Sequence, residues 1–139
     1  MEKYQHYIKG KWTDGSSKET INVVNPANGK DIGQVVCAQS EDVNAAVEAA
    51  FDSYKSRILV DMLPMERAKL MRAIANELRA VSKDGGKLLC HENGKLLANA
   101  EYEFIDGANY FDYYSGMTDK LEGNTIPVNN KVVDYKLLE

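Results

Sequence analysis

Leu96-Leu97-Ala98-Asn99-Ala100-Glu101-Tyr102-Glu103-Phe104-Ile105-Asp106-Gly107-Ala108-Asn109-Tyr110-Phe111, continuing to Leu121, is the stretch on which the fold turns. It reads as one long helix over 96–121. Leu97, Ala100, Phe104, Ala108 and Phe111 recur at steps of three and four, which puts them on one face. Beside them runs a second line, Tyr102, Ile105, Asn109 and Asp112, only partly apolar. No proline interrupts the stretch. Gly107 is its weak point, costing about 1 kcal/mol against alanine in a helix interior. At 1.5 Å per residue, a helix of roughly 25 residues spans on the order of 37 Å, so it needs several elements to pack against.

Working upstream, three further helices are expected. Ser40 suits an N-cap, and Glu41 and Asp42 then sit at the positive end of the helix dipole. Val43, Val47, Ala50, Phe51 and Tyr54 give the stripe of that helix. After a loop over 56–62, Pro64 fits a first helical position, with Leu70, Met71, Ile74, Leu78 and Val81 as the next stripe. A short third helix is expected over 83–91. Gly85-Gly86 would fall in its first turn, and Asn93-Gly94 closes it as a left-handed C-terminal signal.

The N-terminal part reads as strands. Tyr7 to Trp12, interrupted by Gly10, and Thr20 to Val24, rich in β-branched residues, are expected to pair across the turn Asp14-Gly15-Ser16-Ser17. Asn25-Pro26-Ala27-Asn28-Gly29 is a tight turn, because Pro26 fixes φ and Asn28-Gly29 tolerates positive φ. Ile32 to Cys37 is a third strand, with Gly33 a bulge or a close approach. The short connections make this an antiparallel meander. Downstream of the long helix, Gly123-Asn124 breaks the pattern and Asn129-Asn130 is a turn candidate. Val133, Tyr135 and Leu137 then alternate with polar residues as an edge strand without a visible partner. The fold class is therefore mostly α-helical, with a short N-terminal β meander and a C-terminal edge strand. There is no internal repeat.

Bulk properties narrow the function classes. The 139 residues fit one domain, and 44% hydrophobic with 27% charged residues is ordinary globular composition. A net charge of −4 argues against a nucleic-acid surface, which needs a basic patch. No apolar run approaches the ~18–20 residues of a membrane span, and 1–8 lack the apolar core of a signal peptide. The two cysteines set no disulfide framework, so a reducing cytoplasm is the expected location.

No catalytic constellation stands out. Cys90-His91-Glu92 clusters a thiol, an imidazole and a carboxylate, but adjacent helical residues point about 100° apart, so Cys90 and His91 would not face each other. Cys37 reads as a small core residue in a strand. Two Cys and two His, at positions 6, 37, 90 and 91, match no structural zinc spacing. Neither GxGxxG nor GxxxxGK[ST] occurs. The aromatic run around Tyr102, Tyr110, Phe111, Tyr113 and Tyr114 is a packing face rather than a base-stacking platform in an acidic chain.

The order of the short motifs carries more than any one of them. Ile8-Lys9-Gly10-Lys11-Trp12 and Val23-Val24-Asn25-Pro26-Ala27-Asn28-Gly29-Lys30 come first, followed by the helix start at Glu41-Asp42-Val43. Pro64-Met65-Glu66-Arg67-Ala68, Glu92-Asn93-Gly94-Lys95, Tyr113-Tyr114-Ser115-Gly116 and Glu122-Gly123-Asn124-Thr125-Ile126-Pro127 continue the series. In this order and spacing they resemble the N-terminal segment of the aldehyde dehydrogenase superfamily over essentially the whole chain.

The resemblance implies an oxidoreductase in which a cysteine thiolate attacks the aldehyde as a thiohemiacetal forms, hydride passes to NAD or NADP, and a glutamate is the general base. These residues lie downstream of Glu139 in the family. Neither Cys37 nor Cys90 matches its nucleophile, and Glu92 does not match its base, so no catalytic or cofactor-binding residue is assigned here. Residues 1–139 would be a fragment of an α/β family fold, the helical part of the cofactor-binding domain, with 124–139 starting the oligomerisation hairpin. The partners implied are the remainder of the dehydrogenase chain and, in the full enzyme, further copies in a homo-oligomer; nucleic acid and membrane are not expected. One site carries over: a monovalent cation held by carbonyls of Val23 and Val24 and by Glu92, where the family often has Asp, with a third ligand beyond Glu139. Hard oxygen ligands suit such an ion. Leu96 stands where the family usually has proline, and Gly85-Gly86 replace better helix formers. Apart from the resemblance, the chain also fits a self-standing helical interaction module, and a cysteine hydrolase using Cys90 is a third reading. Marginal stability or self-association is expected, because the long helix lacks the sheet it should cover.

Overall fold

The computed structural model describes residues 2–135. The element order is β1 (Glu2–Tyr4), β2 (His6–Ile8), β3 (Lys11–Thr13), β4 (Thr20–Asn25), β5 (Lys30–Val36), α1 (Ser40–Lys55), α2 (Pro64–Asn93), α3 (Leu97–Ser115), β6 (Thr125–Asn129) and β7 (Val132–Tyr135). Helices of 16, 30 and 19 residues outweigh the short strands, as the sequence indicates.

The organising unit is an antiparallel hairpin of α2 and α3, and it differs from expectation in both arms. The two helices expected over 64–81 and 83–91 are one continuous helix, α2. Gly85 and Gly86 lie in its interior, where an added Cβ would come within 2.4 Å of the Phe104 ring and 2.6 Å of Glu101 Cγ. Their helix-propensity cost is offset by the close approach they allow. The stretch expected to run helical to Leu121 ends at Ser115, whose hydroxyl donates to the Asp112 carbonyl at 2.7 Å, with Gly116 as C-cap. Beyond it the chain turns, Met117 N donating to Tyr114 O at 3.0 Å and Lys120 N to Met117 O at 3.0 Å.

The seam between these helices is built from small residues. Ala68, Ala75 and Gly86 of α2 and Ala100, Ala108 and Ser115 of α3 are the buried positions. Arg79 ties the faces together outside the seam, donating to Asp112 Oδ2 at 2.6 Å and Asn109 Oδ1 at 3.1 Å. Arg67 works as a clamp at the open end. Its Nη1 donates to the carbonyls of Leu59, Val60 and Met62 at 3.1, 3.0 and 2.6 Å, and Nη2 donates to Thr118 O at 3.4 Å. One planar guanidinium thus holds the α1–α2 loop and the exit of α3.

The strands pair differently from the expected meander. β2 and β3 form their own hairpin, with Tyr7 opposite Trp12, instead of pairing with β4. Lys9 and Gly10 adopt φ of 52° and 76°, the left-handed values that a two-residue hairpin turn requires. Gly10 is thus the turn, not an interruption. β4 pairs antiparallel with β5, and β1 adds to the other edge of β5 in parallel, giving the order β1-β5-β4. At the C-terminal end, β7 has a partner after all: β6 pairs with it across Asn130 and Lys131, with Lys131 N donating to Asn129 Oδ1 at 2.8 Å. Leu137 lies outside the described residues.

α1 starts one residue earlier than expected in capping terms. Gln39, not Ser40, is the N-cap, and its amide donates to Asp42 Oδ2 at 2.9 Å. Asp42 also accepts from Ser16 N at 3.0 and 3.1 Å and from Ser16 Oγ at 2.8 Å, fastening the β3–β4 loop to the helix. These hydrogen bonds, the backbone ones first, hold the Asp42 carboxyl below the usual carboxylate range, with the charge of His6 adding to them. The α1 stripe, by contrast, is uncovered: Val43, Val47, Phe51 and Tyr54 are 53% to 74% exposed.

Candidate cation site

The turn Asn25–Gly29 and the end of α2 meet, and that contact assembles the site. Asn25 is buried; its Oδ1 accepts from Ala27 N at 2.9 Å and its carbonyl from Gly29 N at 2.8 Å. This fixes Pro26 so that a Cβ on Gly94 would lie 3.0 Å from Pro26 Cγ. Gly94 has φ 78° and caps α2, its amide donating to Cys90 O at 2.9 Å. The last turn of α2 is thereby set against the β1-β5-β4 sheet.

Between them lies a cleft of 160 Å³ lined by Tyr4, Val23, Ile32, Val35, Leu88 and Glu92. Two of the three residues expected at a cation, Val23 and Glu92, therefore share one cleft. Val24 is not among its lining residues, but it is the next residue of β4. The β4–β5 register shifts between Val23 and Val24: Val23 stands opposite Gly33, Val24 opposite Asp31. Such a bulge disrupts the ladder locally at Val23 and Val24.

Electrostatics favour a cation at this place. Glu92 lies in the last turn of α2, at the negative end of the helix dipole, where a carboxylate is unfavourable without a positive neighbour. The phenol of Tyr4 is pushed above its ordinary pKa, first by burial, then by its hydrogen bond to Glu2, and then by the negative charges of Glu2 and Glu92. Among the described residues no group of three or more His, Cys, Asp or Glu side chains could hold a metal ion. Glu92 is the one charged side chain lining the cleft, and with Tyr4 it stands among the apolar side chains of Val23, Ile32, Val35 and Leu88. A single carboxylate without a second charged ligand does not suit a transition metal.

The other candidates stay apart. Cys37 and Cys90 are free and half-buried. The tyrosine run of α3 is an exposed groove of 390 Å³ lined by Asp106, Asn109, Tyr110, Tyr113 and Tyr114. Sequence reasoning missed Tyr4 and the whole of β1. The only signal available was the glycine at position 33, which marks a close approach without saying what approaches. No helix among the described residues is long and apolar enough to cross a membrane.

A helical hairpin capped by a small mixed sheet, with a largely apolar cleft between them that Tyr4 and Glu92 also line, is the class of structure in hand. Its family follows from comparison. The family model described as "Aldehyde dehydrogenase family" matches residues 12–138. The chain is similar to an NAD-dependent aldehyde dehydrogenase from Sinorhizobium meliloti, at 31% identity and TM-score 0.83, over 91% of this chain and 25% of that one. It is similar to an aldehyde dehydrogenase mutant from Bacillus cereus, at 30% identity and TM-score 0.84, over 96% of this chain and 28% of that one. An E. coli NADP-dependent enzyme matches at 29% identity and TM-score 0.82, over 93% of this chain and 26% of that one. The chain belongs to the aldehyde dehydrogenase family, and it spans about a quarter of the length of these structures. The expectation of an N-terminal segment of such an enzyme agrees with this partial coverage.

Proposed function

We propose that this chain is the N-terminal part of an NAD(P)-dependent aldehyde dehydrogenase, which converts an aldehyde to a carboxylic acid, and that it is inactive alone. The observation that carries this reading is the family match over 12–138, joined to coverage of only about a quarter of each similar structure. Two of those neighbours are named for NAD and NADP, which supports a nicotinamide cofactor as the hydride acceptor. Cysteine attack, thiohemiacetal formation and base catalysis belong to the rest of the enzyme in this reading.

This chain supplies scaffold. Two apolar surfaces, the α1 stripe and the tyrosine face of α3, are left for the remainder of the chain to cover. Exposed apolar area of this extent is what an interface looks like before its partner is added. The cytoplasmic homo-oligomer belongs to the same proposal, and the β6–β7 hairpin supports it as the start of an oligomerisation element over 124–139. Carbonyls of Val23 and Val24 with the Glu92 carboxylate hold a monovalent cation in the full enzyme, which would stiffen the junction of sheet and α2.

Co-expression of this chain with the missing remainder tests the reading. Recovery of NAD(P)-linked aldehyde oxidation by the pair, with neither part active alone, is expected. Stable, inactive association of the chain with an unrelated protein would instead support a self-standing interaction module.

A further inference from the structure

The chain leaves α3 at Gly116 and reaches β6 at Thr125, and residues 117–124 between them form neither helix nor strand. The backbone bonds of this exit are local: Met117 N donates to Tyr114 O and Lys120 N to Met117 O. Among the described residues, one side-chain hydrogen bond joins 116–124 to another element: Arg67 Nη2 donates to Thr118 O at 3.4 Å. Beside it is an apolar hollow of 260 Å³ lined by Arg67, Met71, Tyr114, Met117, Thr118 and Leu121, so the exit lies against the start of α2. Further on, β6 and β7 form a two-stranded sheet of their own, and no third strand among the described residues joins either edge. A hairpin of two strands is marginal alone in water, and an unpaired edge is a template for another strand.

We infer that Arg67 is a positioning residue for assembly: its grip on the Thr118 carbonyl sets the direction in which the chain leaves α3, and with it the place where the β6–β7 hairpin meets a second copy of the chain. The inference rests on the reading of β6–β7 as the start of an oligomerisation element. A guanidinium suits this task because its donors are fixed in one plane. Nη1 is anchored on the carbonyls of Leu59, Val60 and Met62, so Nη2 reaches Thr118 from a fixed point. A lysine ammonium on its flexible stem keeps the charge and loses that direction. Holding the exit in place before two copies meet lowers the ordering cost that association would otherwise carry.

The test uses the native product of the gene and reads its half-dissociation concentration by analytical ultracentrifugation, far below the melting temperature. Arg67→Lys is expected to raise that concentration by about tenfold, the scale of one lost hydrogen bond to a charged group, with helix content by circular dichroism unchanged. Gly86→Ala, which strains the α2–α3 seam and leaves the exit alone, is expected not to move it. Equal weakening by both variants would show a general loss of stability and overturn the role of Arg67. Asp134→Pro, which removes a backbone donor from β7, tests the hairpin separately. If Asp134→Pro dissociates the oligomer and Arg67→Lys does not, the role of Arg67 is overturned and the hairpin reading stands. If Asp134→Pro leaves the oligomer intact, or the native product is a monomer at every concentration, both fall. Should Arg67→Lys fail to fold, amide hydrogen exchange of the wild type diluted to protomers decides: slow exchange at 117–120 is expected, and exchange there as fast as in an unfolded chain would overturn the positioning.

Discussion

Gly86 of α2 and Glu101 of α3 are in backbone contact: a Cβ on Gly86 would lie 2.8 Å from both the Cα and the amide nitrogen of Glu101. Backbone cannot swing aside as a side chain can. Gly86→Ala should therefore lower stability by about 1–3 kcal/mol through overpacking, although alanine is intrinsically the better helix former by about 1 kcal/mol. Urea unfolding of the two proteins checks this, and a raised midpoint in the variant would contradict the packing described here.

Asp42 links acid sensitivity to the β3–β4 loop. Its carboxyl titrates below the usual carboxylate range in the folded state, because Gln39, Ser16 and His6 favour the anion. Stability from this group is complete above the unfolded value, and is lost as the pH falls through the lowered folded one. Melting temperature measured from neutral pH down past pH ~4 should fall less steeply in Asp42→Ala than in the wild type, with the variant already less stable at neutrality. Parallel curves would show that the Ser16 contacts do not matter.

Arg67 should not be replaceable by lysine. Four carbonyls, from Leu59, Val60, Met62 and Thr118, converge on one fork of donors. A lysine ammonium reaches fewer of them, so Arg67→Lys is expected to cost about 2 kcal/mol. Limited proteolysis should then cut first within 56–63, ahead of α2.

The isolated 139-residue chain should self-associate or melt broadly. Beyond the α1 stripe, Tyr102, Tyr110, Tyr113 and Tyr114 of α3 are each more than half exposed. Uncovered apolar faces of this kind find one another. Analytical ultracentrifugation across a concentration series reads the outcome, and a monodisperse monomer with a sharp, reversible melt would contradict it.

Several features were legible in the sequence because they rest on local chemistry. The α1 stripe, the Pro64 start of α2, the left-handed Gly94 and the buried face of α3 at Ala100 and Ala108 all follow from periodicity or from a single residue's backbone preference. What stayed illegible depends on a distant neighbour. Gly85-Gly86 looks like a helix break until Phe104 and Glu101 are set against it. Lys9-Gly10 looks like an interruption because lysine is an unusual residue at a positive φ. The parallel strand β1 has only three residues, and its partner, β5, begins 26 positions beyond its end. For the site, the pairing of Val23 with Glu92 came from family resemblance. The residues alone gave a strand and a helix end with no reason to meet, since the Pro26–Gly94 contact is invisible to periodicity.

The intact mass of the gene's native product in its own cells tests the central claim most directly. The account predicts a mass several times 15.5 kDa, that of a whole dehydrogenase of which this chain is one part. A native product near 15.5 kDa would contradict it.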